Sequence, residues 1–273
     1  MKKLLLFAAF SCLFSTNAQV RLVQNNPPGG GVADARPIVV VNNRLVYVST
    51  FVGSNVIWSS NGVTQNALVN TVNGRSPRPV TFSLPHIFFN GELHFMGYYY
   101  NGSTINYTRL TKASFTNADC NGYDNLSAFT GVMGNDMAYP VEVNNEILFT
   151  TTIASSTNAT GIELFKSDGT TISLVKDIYP GPISSNPKDL TVLGNNCFFS
   201  ASGSNGRELW KSDGTNAGTV IYLDLNTTTS TASSNPDNLN VLGAQLTFAA
   251  THTTLGRELF KTNGTGSLVL ITD

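Results

Sequence analysis

An eight-residue segment recurs three times in this chain: Glu-Leu-Phe-Lys-Ser-Asp-Gly-Thr at 163–170, Glu-Leu-Trp-Lys-Ser-Asp-Gly-Thr at 208–215 and Glu-Leu-Phe-Lys-Thr-Asn-Gly-Thr at 258–265. The copies stand 45 and then 50 residues apart. A weaker copy lies at 56–62 and a degenerate one at 105–110, so an aromatic returns at Trp58, Tyr107, Phe165, Trp210 and Phe260. A second element keeps the same phase, a short apolar run at 43–47, 91–95, 145–149, 195–199 and 244–248. Two independent elements in register over five units mark a repeat architecture, in which each unit buries its apolar face only by stacking on its neighbours.

A unit of about 50 residues has room for four short strands, the content of one propeller blade. The expected fold is therefore all-β and β-propeller-like, with about five blades of four antiparallel strands over residues 19–273. In the unit 188–225, the runs 189–193, 197–201, 207–211 and 219–223 are the predicted strands, rich in β-branched and aromatic residues. Between third and fourth strands, Asp168-Gly169, Asp213-Gly214 and Asn263-Gly264 predict a tight turn. Glycine there accepts positive φ, and the Asp or Asn side chain bonds the backbone ahead. Calcium binding by Asp168 and Asp213 is the alternative, but calcium takes several oxygen ligands and each loop carries one carboxylate.

The repeated Glu163, Glu208 and Glu258 occupy one phase of successive units. A glycosidase instead builds its two acids once, around one bond. These glutamates are expected to be structural partners of neighbouring backbone or of Arg207 and Arg257. Trp58, Phe165, Trp210 and Phe260 are expected to pack in the core or between blades, with a sugar-stacking platform as the other reading.

Further motifs follow the octapeptides: Asp-Ile-Tyr-Pro-Gly at 177–181 and Ser-Ser-Asn-Pro at 184–187 and 233–236. With these, the chain resembles the ELWxxDGT-repeat proteins, specifically over 162–273 and by phase alone over 19–161, where the first two units have lost the Glu and the Asp-Gly-Thr. The resemblance implies a β-propeller-like repeat fold and export from a bacterial cell; it implies no characterised activity.

Residues 1–18 read as a secretory signal peptide: Lys2 and Lys3, an apolar run at 4–14, and Thr-Asn-Ala before a cleavage point ahead of Gln19. The apolar run falls short of the roughly 20 residues a membrane span requires, so no span is expected in the mature chain. Cys12 follows Phe10 and Ser11 and is followed by further apolar residues, which disfavours a lipoprotein site. Cys120 and Cys197 could form one disulfide, but Cys197 stands in the strand-like run Asn-Cys-Phe-Phe-Ser, where a thiol behaves as a small buried hydrophobe.

The chain begins its mature part with Val-Arg-Leu-Val at 20–23, which aligns with the fourth strand at 174–177. Arg21 to Gln24 is thus expected to pair with the last unit and close a ring; a longer open array is the alternative.

A formal net charge of −1 leaves no basic surface for phosphates, so nucleic acid is not an expected partner. No catalytic motif, cofactor-binding motif or metal-ligand spacing is present, and His86, His94 and His252 read as belonging to different units, with His94 a partly exposed strand residue. The stretch 113–139, with Asp119, Cys120, Asp124 and Asp136, departs most from the repeat and reads as a loop insertion, where function concentrates. The expected function is that of a non-enzymatic surface or extracellular binding module for a glycan or protein ligand. The alternatives are a purely structural repeat scaffold, or a propeller-type carbohydrate-active hydrolase using Asp34, Asp136 and Glu142.

Overall fold

The computed structural model describes residues 36–41, 44–51, 54–60, 65–67, 78–79, 86–101, 104–115, 120–125, 132–133, 138–154 and 160–271; these hold β-strands and no helix. The signal peptide and the 21–24 segment lie outside the described residues, as do Asp34, Asp119 and Asp136.

Each unit is a meander of four consecutive antiparallel strands. Arg36–Val41 (β1), Arg44–Phe51 (β2), Ser54–Ser60 (β3) and Gln65–Ala67 (β4) form the first. After the short Arg78–Pro79 (β5) come His86–Phe89 (β6), Glu92–Asn101 (β7), Thr104–Phe115 (β8) and Cys120–Asn125 (β9). Val132–Met133 (β10) precedes the third unit, Ala138–Val143 (β11), Glu146–Ala154 (β12), Thr160–Ser167 (β13) and Ile172–Lys176 (β14). The fourth is Lys188–Leu193 (β15), Asn196–Gly203 (β16), Gly206–Ser212 (β17) and Val220–Leu223 (β18). The fifth is Asp237–Leu242 (β19), Gln245–His252 (β20), Gly256–Thr262 (β21) and Leu268–Leu270 (β22). β10 pairs with both β8 and β12 and so ties the second unit to the third. First strands of successive units lie side by side, β6 on β11, β11 on β15 and β15 on β19.

Two sequence expectations change. Residues 120–125 are the fourth strand of the second unit rather than part of an insertion, with Cys120 opposite Phe115 and Asp124 opposite Lys112. Their polar composition hides the period-2 alternation that would have marked a strand. Tyr107 is not the repeat aromatic: Tyr47, Phe149, Phe199 and Phe248 stand directly opposite Trp58, Phe165, Trp210 and Phe260, whereas Phe95 stands opposite Thr111 and Tyr107 opposite Tyr99. The twelve-residue β8 extends past the hairpin length of its relatives, which shifts the phase. The fifth unit draws all four of its strands from 237–270.

The core lies between units. Strand alternation sends successive side chains to opposite faces. Phe199 and Trp210 of the fourth unit therefore pack with Leu148, Leu164 and Val175 of the third, while Phe198 and Leu209 pack with Leu246, Phe248 and Phe260 of the fifth. The repeated Leu-aromatic pair thus contacts both neighbours at once, and fully burying each such side chain is worth roughly 1.5–3 kcal/mol. Phe149 stacks on Phe165 and Phe248 on Phe260 within their sheets. Cys197 is a free, buried thiol in this core.

Candidate functional site

The repeat residues build a clamp between successive units. Gly161 and Gly206 stand in the first two positions of the third strands, and a Cβ on Gly206 would stand 2.8 Å from Ser233 Oγ and from the Thr231 carbonyl, so the next Ser-Ser segment crosses where only glycine leaves room. The first serine of each pair takes the third strand's amide: Ile162 N–H donates to Ser184 Oγ and Arg207 N–H to Ser233 Oγ, both at 2.9 Å. The second serves the glutamate. Ser185 donates to Glu163 from its amide (2.9 Å) and its hydroxyl (2.5 Å), and Glu163 also accepts from Ile178 N–H at 2.9 Å. Ser234 donates to Glu208 in the same way, from its amide at 3.1 Å and from its hydroxyl. Asn186 and Asn235 then turn the chain at positive φ and donate their amides to the carbonyls of Ile162 and Arg207.

Glu163 and Glu208 are wholly inaccessible to solvent. Burial raises both carboxyls above their ordinary range, to about 7 for Glu208, against the opposing pull of Ser185 or Ser234. Glu258 is half-buried. The expectation of a backbone partner holds for the first two, but Arg207 and Arg257 are not their partners. Each arginine is drawn away to the carbonyl of Asn186 or Asn235, in the segment leading into its own unit.

The Asp-Gly turns also do more than reverse the chain. Asp168 accepts from the amides of Thr170 and Thr171, and Asp213 from the amide and hydroxyl of Thr215, which holds both carboxyls below their usual values. Asn263 receives Thr265 N–H and its hydroxyl likewise. Gly169, Gly214 and Gly264 all have positive φ. Each sits against the preceding unit: a Cβ on Gly169 would meet Phe89 at 3.3 Å, and one on Gly264 would meet Phe198 at 3.1 Å. His94 lies beside Gly169, edge-on to Phe89, and is fully buried, correcting its reading as partly exposed. Its strand position is the one that faces the next unit. His86 lies opposite Phe95 in that same second unit, so these two histidines share a unit, and His252 stands in the fifth. Among the described residues no three His, Cys, Asp or Glu side chains gather as a metal site would require.

Trp210 and Phe260 are buried in the inter-unit core, and Phe165 likewise, so none offers a surface platform; the side chain of Trp58 lies outside the described part. The exposed aromatic is elsewhere. β11, β15 and β19 each carry a bulge whose residue takes positive φ: Tyr139 (54°), Asp189 (59°) and Asn238 (53°). Asp and Asn tolerate that conformation, whereas a tyrosine there is strained. Tyr139 is 43% exposed.

Tyr139 borders a cleft of about 490 Å³ between the third and fourth units. Ala138, Tyr139, Thr150 and Ile162 form the third unit's wall, and Asn186, Pro187, Lys188 and Arg207 the fourth's. Arg207 is fixed by donating from Nε to Ser200 Oγ at 2.9 Å, from Nη1 to Ser202 Oγ at 3.3 Å and from Nη2 to the Asn186 and Ser200 carbonyls at 2.8 and 3.0 Å. Burial draws its guanidinium below the ordinary value, with Asp189 and then Tyr139 acting the other way. No carboxylate lines the cleft among the described residues. An exposed ring, an amide, an ammonium and a guanidinium can hold a polyhydroxylated or anionic molecule. Of the three acids named for hydrolysis, Glu142 is described, exposed on β11 opposite Ile147. Sequence reading passed over Lys188 and took Arg207 only as a partner of the glutamates. The signal was present in Tyr139, which stands where sister units carry Asp189 and Asn238, at the end of the stretch that departs from the repeat.

No family model matches this sequence, and no curated protein matches it. Solved structures do share its fold. A puromycin-hydrolysing peptidase from Mycobacterium tuberculosis is 9% identical with a TM-score of 0.51, over 90% of this chain and 38% of that one. The β-propeller domain of the Trilobed protease from Pyrococcus furiosus, described as having an open velcro topology, is 10% identical with a TM-score of 0.50, over 85% of this chain and 64% of that one. The chain therefore spans less than two thirds of either, and the likeness is one of fold: the protein is a β-propeller-like assembly of five four-stranded antiparallel units.

Proposed function

We propose that this protein is an exported, non-enzymatic binding module of the ELWxxDGT-repeat kind, which holds a glycan in the cleft between its third and fourth units. The observation that carries this reading is the cleft's lining, in which a strained, exposed Tyr139 ring stands beside fixed polar donors and no described side chain supplies a carboxylate. Strain kept at one residue while its equivalents are relaxed is a mark of a functional constraint, and an amphipathic ring is suited to a sugar face.

The test uses the protein recovered outside the cytoplasm, where Gln19 is expected as the first residue. It is retained on immobilised polysaccharides without releasing sugar, and Tyr139→Ala weakens retention about tenfold, the equivalent of about 1.4 kcal/mol. Release of sugar would replace this reading with the hydrolase. Absence of retention would favour the structural scaffold, a reading supported by the inter-unit contacts that occupy Glu163, Glu208, Gly169, Gly214 and Gly264.

A further inference from the structure

We propose that the cleft selects polysaccharides bearing anionic groups, with Lys188 and Arg207 taking the carboxylate or sulfate ester and Tyr139 the adjoining sugar ring. This rests on the glycan reading above and narrows it to one ligand chemistry.

The argument comes from an internal comparison. Arg207 and Arg257 hold one phase of successive units, each opening a third strand after a glycine. Both donate to the carbonyl of the asparagine in the Ser-Ser-Asn-Pro segment ahead of their unit, Asn186 or Asn235. In the fifth unit the residue after that proline is Asp237, and it closes an ion pair with Arg257 at 2.7 Å. In the fourth unit the same place holds Lys188. The backbone frame is kept while the counter-ion is replaced by a second cation.

Both cations line the cleft, and the Lys188 side chain has no hydrogen-bond or ion-pair partner among the described residues. Asp189 acts on Arg207 through its charge but makes no ion pair with it. Two cations and one carboxylate leave a local excess of one positive charge, beside a wall that is otherwise apolar or uncharged. A guanidinium already held by four hydrogen bonds is pre-organised, so an incoming anion meets a fixed charge without ordering a flexible side chain.

The experiment measures retention of the full protein on polygalacturonate, dextran sulfate and uncharged dextran, each at about 0.01 M and about 0.5 M salt, between which the screening length shortens roughly sevenfold. Retention on an acidic polymer, lost in salt and weakened at least tenfold by Lys188→Asp, is the expected result; which acidic polymer retains it separates carboxylate from sulfate ester. Lys188→Asp restores the arrangement that Asp237 and Arg257 already show, and Lys188→Gln serves as the second variant if the first does not fold. Retention on uncharged dextran equal to that on the acidic polymers, or acidic retention untouched by both variants, overturns the anionic inference and leaves the glycan module standing. Absence of retention on all three, and on the wider panel above, overturns both.

Discussion

Burial sets the proton affinity of the repeated glutamates. Glu208 has an ordinary value of 4.5 and is pushed up to about 7, while Glu163 moves in the same direction. Between those two pH values the folded state holds a proton that the unfolded chain has released, so stability falls as pH rises from about 4.5 to 7, and the full penalty is present above 7. Glu208→Gln carries no charge and can still bond Ser234. Its melting temperature is expected to exceed that of the natural protein at pH 8 and to lose that advantage at pH 4. Melting curves across this range check it, and parallel pH profiles for the two proteins would count against a protonated Glu208. The octapeptide announced that this glutamate matters; its protonation could not be read there, because the Ser234 that encloses it belongs to the next unit.

At the scale of the element, one turn carries two constraints that a sequence shows as one glycine. Gly194 has φ of 60° and open space around it, whereas Gly264 has φ of 81° and would place a Cβ 3.1 Å from the Phe198 ring of the preceding unit. Gly194→Ala is expected to cost about 1 kcal/mol, the penalty of the left-handed conformation alone. Gly264→Ala is expected to cost about 2–3 kcal/mol, since the Phe198 ring must also move. Chemical denaturation of both variants tests this, and equal losses would remove the inter-unit role of the turn. The strands of the fourth unit were legible to within two residues because their alternation is strong. β9 was not, since its polar residues, Asn121, Asp124 and Asn125 among them, break that alternation, and Thr111 could not be identified as the aromatic's stand-in without the register of β7 against β8.

Across the whole molecule, stability is a sum over contacts between neighbours, so the same substitution should cost differently along the stack. Leu164 and Leu209 are wholly buried against the following unit, while Leu259 at the same phase is 37% exposed. Leu242 is 75% exposed where its counterpart Val143 is 2% exposed. Leu164→Ala is accordingly expected to cost about 2–5 kcal/mol, and Leu259→Ala less than half as much. Equal costs, read from urea titrations, would mean that the outer face of the fifth unit is covered in solution.

The sequence by itself determined the class of fold, the unit length and most turn residues, because periodicity, β-propensity and glycine at positive φ are local properties of the chain. Tertiary structure decided what those residues touch. Whether Glu208 meets an arginine or a serine depends on how one unit crosses the next, and that Asp237 meets Arg257 while Lys188 and Arg207 line one cleft depends on how a unit's first strand lies against its third; such pairs stand some twenty or more positions apart.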